Sequence, residues 1–553
     1  MSESHHITLR LVMAQLNLLV GDIAGNTHQI AHAITRAAEA DGADILICSE
    51  LSLIGYPPED LLLQQGVKRQ IENALQQLQQ QVDAFDRPFS LIVGLPWWQD
   101  ERCYNAAAVL QPAQPPRFYF KQHLPNYGVF DERRYFSAGE QPLLFIHHHI
   151  PLAVTLCEDL WHAGVATAAR NGGAAALLNL NASPYHGGKR QQREAMLQQR
   201  CAEAGLPIFY VNQLGGQDEL LFDGGSMVVD SGGAVVVRAA EFAPALQLVT
   251  ATYSPDNNQL LINPPLEPLP PPLAAEAATY AAILLALRDY VEKNHFNSVL
   301  VSLSGGIDSA LTLALAVDAL GAERVFAVTL PSRYTAAMSV EDARLEAEAL
   351  GVPLREIAIE PGIAPLHQLL ADDLAGRPAD VTEENLQARL RALLVMALSN
   401  RYQRLVLTTG NKSEMAVGYA TLYGDMCGGF NLIKDLFKSE VYRLAIYRNS
   451  LSPVIPERVI SRAPSAELAP NQQDSDSLPP YADLDEILRL YIEEHAAAET
   501  IIAAGFAAAT VERVLRLVDL SEYKRRQSAP GVKLSNLAFG RDRRHPITQG
   551  YHP

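Results

Sequence analysis

The sequence predicts an α/β protein of two units, an α/β layered domain followed by a doubly wound parallel sheet. Three observations carry this expectation. Short β-type apolar runs alternate with helical patterns along the chain. One composition break, LINPPLEPLPPPLAAE at residues 261–276, packs six prolines between Pro264 and Pro272. A strand, a Gly-Gly turn and a helix then follow one another at 298–321, inside a region of continuous apolar runs.

Before the break, ITLRLVMAQL reads as a strand. NTHQIAHAITRAAEADG reads as a helix with Asn26 or Thr27 as its cap and Gly42 as its stop. ADILICSEL reads as a buried strand, and SLIVGLP, PLAVTLC, AALLNLN and PIFYVNQ as further strands. Proline has a fixed φ and no N–H, so the break itself suits a semi-rigid linker. We place the units at 1–262 and 274–553, with the proline-rich linker at 263–273. After it, AAILLALRDYVEKNHF is helical, SVLVSLS (298–304) is a strand, IDSALTLALAVDALG is a helix ending near Gly321, and VFAVTLP and RLVLTTG (404–410) are strands.

Composition excludes several classes. The net charge of −18 argues against a general binder of nucleic acid or anionic membrane, which needs excess Lys and Arg. The N-terminal MSESHHITLR has no apolar stretch of signal-peptide length, and no uncharged run reaches the ~18 residues of a membrane span. The cysteines (Cys48, Cys103, Cys157, Cys201, Cys427) form no CxxC pair, which argues against a zinc site or a disulfide framework and fits a reducing cytoplasm. His147-His148-His149 alternates faces in an extended segment and is assigned a structural or surface role, and Trp97-Trp98 core or interface packing.

SLSGGIDSA is the most specific short motif. The strand delivers Ser302-Leu303-Ser304 to Gly305-Gly306, where positive φ and close backbone approach are available. The helix beginning at Ile307-Asp308-Ser309 aims free N–H groups and its dipole at an anion. Asp308 opposes a bare phosphate by charge and is expected to act through magnesium. Strand, S-G-G-x-D-S and helix together resemble the pyrophosphate loop of the N-type ATP pyrophosphatases, which activate a carboxylate as its adenylate. ENLQARLRALLVMALSN, YGDMCGGFNLIKDLFKSEVYRLA, PSAELAPNQQDSDSLPPY and EYKRRQSAPGVKLSNLAFGRDRRHPIT resemble the NAD synthetase branch of that family. The resemblance implies that the loop and Thr409 contact ATP, that Asn385, Glu414 and Lys524 contact deamido-NAD(+), and that Asp308 and Glu414 hold Mg2+. Lys438 is a further phosphate candidate. Residues 521–546 carry seven Lys or Arg against two acids, which suits a phosphate-rich ligand. Ammonia-dependent members carry a lysine where this chain has Leu422, so that role does not transfer.

Three segments of the first unit supply nucleophile, base and cation. SELSLIGYPPEDLL gives Glu50, YFKQHLPNYGVFDERRYF gives Lys121, and VTLCEDLW gives Cys157. In this order and with these neighbours they resemble the Glu-Lys-Cys triad of the nitrilase superfamily, whose fold is an αββα sandwich, and specifically its glutaminase branch. By that resemblance Tyr127, Ser183 and Lys189 bind glutamine, and Glu132 and Glu158 support the triad or the substrate amino group. The combined reading is glutamine-dependent NAD(+) synthesis by a homo-oligomer, with deamido-NAD(+), ATP and glutamine as small-molecule partners. A tunnel between the sites is expected, because free ammonia is protonated by water. The rival readings are another ATP-pyrophosphatase amidotransferase and a nucleotide-binding scaffold with an inactive amidase.

Overall fold

Alternation along the first strand divides the first unit into layers. In Ile7–Gln15, Leu9, Leu11 and Met13 join one buried cluster, while Val12 and Ala14 join another on the opposite face. Both faces are covered, so the strand reads as a nearly continuous apolar run. The computed structural model describes residues 6–264, 268–376, 378–470 and 472–551. The chain divides into the units Met1–Pro272 and Leu273–Pro553. Residues 265–267 of the proline-rich stretch lie outside the described residues.

Among the described residues, the first unit holds two large sheets. One has seven strands in the spatial order Gln259–Ile262, Ala245–Ser254, Ile7–Gln15, Ile45–Ile47, Ser90–Gln99, Arg102–Leu110 and Arg117–Phe120. The other has six: Val235–Arg238, Met227–Val229, Ile208–Asn212, Ala176–Asn181, Ile150–Leu156 and Leu143–His147. Leu9, Leu11, Ile45, Ile47 and Ile92 meet Leu152, Val154, Leu178 and Phe209 in the core between the sheets. The outer face of the first sheet is covered by helices Ile23–Glu39 and Gln65–Asp83, that of the second by Val165–Asn171 and Lys189–Ala204. This is the αββα sandwich.

The first helix starts a turn earlier than its sequence suggests. Asp22 is the N-cap, its carboxylate accepting from Gly25 N. Asn26 is buried instead and ties Leu19 to the helix through its side-chain amide, while Thr27 Oγ1 donates back to Ile23 O. The helix ends at Glu39, before Gly42. His148 and His149 adopt positive φ between Leu143–His147 and Ile150–Leu156, and His147 Nδ1 bonds Ser90 Oγ in the core. Trp97 stacks on Phe118.

The second unit carries a parallel sheet ordered Leu354–Glu356, Val325–Thr329, Val299–Ser302, Leu405–Thr408, Phe430–Asn431. The direction of winding reverses between Val299–Ser302 and Leu405–Thr408. A crevice opens beyond the carboxyl ends of strands at such a switch, where ligands bind in open α/β sheets. The loop 302–309 and the segment 409–414 leave from those two ends.

Candidate active sites

In the first unit, Glu50, Lys121 and Cys157 follow the ends of strands Ile45–Ile47, Arg117–Phe120 and Ile150–Leu156. Gly94 allows the Glu50 loop to approach: a Cβ there would lie 2.4 Å from Ser49 O and from Leu51 N. Lys121 Nζ donates to Glu50 Oε1 at 2.6 Å and to Glu132 Oε1 at 2.7 Å. Glu50 also accepts from Asn105 Nδ2 at 2.8 Å and from the Ala182 N–H at 3.0 Å. Tyr56 OH donates to Glu132 at 2.9 Å. Glu50, Lys121 and Glu132 are all at most 4% exposed. Two donors on Oε1 and one on Oε2 fix the Glu50 carboxylate and leave Oε2 able to accept a further proton.

Two buried carboxylates share one ammonium. Burial, opposed by Lys121 and reinforced by Glu50, pushes Glu132 up to about 7. Burial works against the Lys121 charge, but Glu132 and Glu50 outweigh it and hold the ammonium well above the usual lysine range. Cys157 opens the turn Cys157–Trp161 with φ +37°, a left-handed conformation unfavourable for a residue with a side chain. Burial and the nearby Glu50 push its thiol up, while Lys121 pulls it down. The thiol is therefore protonated at rest, and a base must remove its proton as it attacks. Cys48, Cys103 and Cys201 are pushed up to about 12 by burial, without a lysine opposing it.

Asp159 is a residue the sequence reading missed. Its Oδ1 accepts from the Gln122 and His123 N–H groups at 3.0 and 2.9 Å, and its Oδ2 from Leu156 N at 3.0 Å and Tyr119 OH at 2.7 Å. It locks the Cys157 turn to the Lys121 strand end. Its only signal is an acid two residues beyond the cysteine at a strand end. Tyr127 OH donates to both oxygens of Glu158, at 3.1 and 3.0 Å, and His162 Nε2 lies 3.3 Å from Glu158 Oε1. Ser183 is buried just past strand Ala176–Asn181. Lys189 begins helix Lys189–Ala204 with Nζ 4.2 Å from the Trp161 ring centre.

In the second unit a cavity of about 700 Å³ opens at the switch point. Gly305 has φ +80°, and a Cβ there would lie 2.1 Å from Ser339 O. Ser309 Oγ accepts from Ser304 N at 3.1 Å and donates to Gly306 O at 3.0 Å, folding the loop into a nest at the start of helix Ile307–Leu320. Lys438 Nζ is bracketed by Asp308 Oδ2 and Glu414 Oε1, the latter at 3.1 Å. Asn411 joins the two segments: its amide donates to Asp308 at 2.9 Å, and its Oδ1 caps helix Lys412–Val417 through Glu414 N at 2.9 Å. Burial, offset in part by Lys438 and reinforced by Asp308, pushes Glu414 up to about 8.

Thr409, Asn385 and Lys524 line the same cavity. Asn385 Oδ1 accepts from Thr421 Oγ1 at 2.8 Å, and Lys524 Nζ donates to Gly418 O and Ala420 O at 2.7 and 2.8 Å. Leu422 O accepts from Arg389. Several of the other basic charges of 521–546 pair with acids of the same segment. Arg525 and Arg543 flank Phe539 and pair with Glu522, and Lys533 pairs with Asp542. Of that segment, Lys524 alone is among the described residues lining the cavity.

The layers and the two lysine-centred clusters define a class: an amide-cleaving cysteine hydrolase unit carried on one chain with an ATP-handling α/β unit. The carbon-nitrogen hydrolase family matches residues 10–256 and the NAD synthase family residues 279–528. A glutamine-dependent NAD(+) synthetase of Xanthomonas campestris pv. campestris (strain 8004) is 48% identical over 98% of each chain, and one of Thermotoga maritima is 43% identical over 98% of this chain and 99% of its own. The solved structure of the Acinetobacter baumannii glutamine-dependent NAD+ synthetase with adenosine diphosphate is 43% identical, covers 98% of each chain and superposes with a TM-score of 0.78. The chain belongs to the glutamine-dependent NAD(+) synthetase family. No helix among the described residues is long and apolar enough to cross a membrane.

Proposed function

We propose that this chain hydrolyses glutamine in its first unit and spends the ammonia in its second, where ATP adenylates deamido-NAD(+) and ammonia displaces AMP to give NAD(+). The products are NAD(+), AMP, pyrophosphate and glutamate. The observation that carries this is the pairing of two lysine-bracketed carboxylate clusters on one chain, one beside a strained cysteine and one beside a glycine nest.

At the first cluster, Cys157 attacks the side-chain carbonyl of glutamine as Glu50 takes its proton. The raised thiol pKa favours this concerted removal over a preformed thiolate. Lys121 steadies the tetrahedral oxyanion. Glu50 returns the proton to the departing ammonia, and water cleaves the glutamyl thioester. Tyr127, Ser183 and Lys189 hold the α-amino acid end of glutamine, and Glu132 keeps Lys121 charged.

At the second, Ser302–Ser309 and Thr409 bind ATP, with Asn385, Glu414 and Lys524 on deamido-NAD(+). Asp308 and Glu414 fit Mg2+: they are two hard carboxylates converging on one ammonium at the cavity wall. When bound, the ion neutralises charge building on the phosphates. Lys438 orients the two carboxylates and adds its own charge, and the Gly305 nest presents N–H groups to the pyrophosphate. The test is NAD(+) formation from deamido-NAD(+) and ATP, with glutamine and ammonium compared. Failure with both donors would overturn the reading.

A further inference from the structure

One buried guanidinium holds both the hydroxyl and the carbonyl of Ser183. Arg193 is 1% exposed and lies on helix Lys189–Ala204. Its Nη1 donates to both oxygens of Asp223, each at 2.8 Å, and Asp223 is equally buried. Its Nε donates to Ser183 Oγ at 3.1 Å. Its Nη2 donates to Ser183 O at 2.7 Å and Pro184 O at 3.3 Å. Asn212 Oδ1 takes the Ser183 N–H at 2.9 Å. The amide, carbonyl and hydroxyl of Ser183 are thus all bonded to buried partners.

Arg193 follows Lys189 by four residues, so the two share a helix face. Lys189 lies over Trp161, at the end of the turn that begins with Cys157, while Arg193 points into the core. The N-terminal turn of the helix and the segment Ser183–Pro184 are therefore pinned to one another through one side chain. A guanidinium is suited to this because its donors form a planar fork that spans a carboxylate and two carbonyls together.

We propose that Arg193 is a positioning residue for glutamine: it touches no substrate but sets the spacing between Ser183 and Lys189, with Asp223 fixing its orientation. This rests on the reading that Ser183 and Lys189 contact glutamine. The charge of Arg193 also acts on Cys157, so the experiment has to separate positioning of substrate from activation of the thiol.

Arg193→Lys keeps the charge and loses the fork. In the full chain, this variant should raise the glutamine KM about 10-fold or more while kcat changes less than about 3-fold, as expected when binding rather than chemistry is lost. Alkylation of Cys157 by iodoacetamide, which carries no α-amino acid group, should stay within about 2-fold of the parent, because the nucleophile is undisturbed. Ser183→Ala is the comparator. If it leaves the KM unchanged, the glutamine-site reading fails. If Ser183→Ala raises the KM and a folded Arg193→Lys does not, the positioning inference fails. A fall in alkylation that matches the fall in turnover would make Arg193 an electrostatic partner of the thiol and overturn positioning. Should Arg193→Lys not fold, Arg193→Met/Asp223→Leu removes both charges and leaves no buried carboxylate unpaired; it must then show the same KM shift, and an unchanged KM overturns the inference.

Discussion

Lys121 and Lys438 stand in the same electrostatic arrangement, one ammonium between two carboxylates, in contrasting surroundings. Around Lys121 everything is enclosed: its side chain is 1% exposed and those of Glu50 and Glu132 are 0% and 4%. Around Lys438 the carboxylates open to a large cavity, with Asp308 and Glu414 18% and 16% exposed. Each cluster is one positive charge short of balance. The closed one is shut off from solvent, and burial first, with Glu50 adding to it, raises Glu132 to about 7. The open one can admit a metal ion and a phosphate chain. The difference matches the chemistry proposed for each: acyl transfer through the protein's own thiol in one, adenylation of a large dinucleotide in the other.

The strongest way to break this comparison is at the nucleophile. Cys157→Ala should reduce glutamine-driven NAD(+) formation by about 10³-fold or more, because no other group in the closed cluster can form the thioester. Ammonium-driven formation should persist. Its loss in a folded variant would show that the two clusters do not act separately. Asp308→Asn tests the other side. It should lower pyrophosphate release by about 10²-fold or more with either nitrogen donor, while glutamine hydrolysis continues. Near-parental synthesis would remove Asp308 from the open cluster's work.

A smaller effect is expected at the cavity wall. Lys524→Ala should raise the KM for deamido-NAD(+) about 10-fold, the size of one lost charge-assisted hydrogen bond, and leave the glutamine KM unchanged. An unchanged deamido-NAD(+) KM would restrict Lys524 to holding Gly418 and Ala420.

The last prediction asks what a buried carboxylate does without a lysine, and it should barely alter turnover. Glu346 is fully buried, neither of its oxygens has a hydrogen-bond partner, and burial followed by the neighbouring Asp342 pushes it up to about 8. Its folded pKa lies above its unfolded value, so the stability it permits is complete below about 4.5 and is lost as pH rises toward about 8. Glu346→Leu should flatten that loss, by an amount on the order of a few kcal/mol. Thermal unfolding at pH 5 and pH 8 would show it, and an equal decline in both proteins would refute it.

The layered fold was legible from its apolar runs, and the strand-end residues from their order and neighbours, which resemble a known triad. Glu50, Lys121 and Cys157 each follow an apolar run, a weak signal singly, and only the three together pointed to a site. Residues that act through geometry rather than position in a pattern were harder to see. Arg193 lies among glutamines and charges, and only the fold turns it inward. Asp22 took the cap expected of Asn26 or Thr27, and the Asn26 amide is spent instead on Leu19 O and Leu53 O. In the basic run at 521–546 charge number says nothing about direction: Arg525, Arg543 and Lys533 pair with acids of their own segment, while Lys524 lines the cavity.

The left-handed backbone at Cys157 has an evolutionary consequence. A glycine there would adopt φ +37° without steric strain, and asparagine would do so more readily than cysteine. Selection for heat resistance alone would therefore push this position away from cysteine. A population of variants screened only for folding, and supplied with ammonium, should accumulate such replacements and drift into chains that still make the dinucleotide but have forgotten how to draw nitrogen from an amino acid.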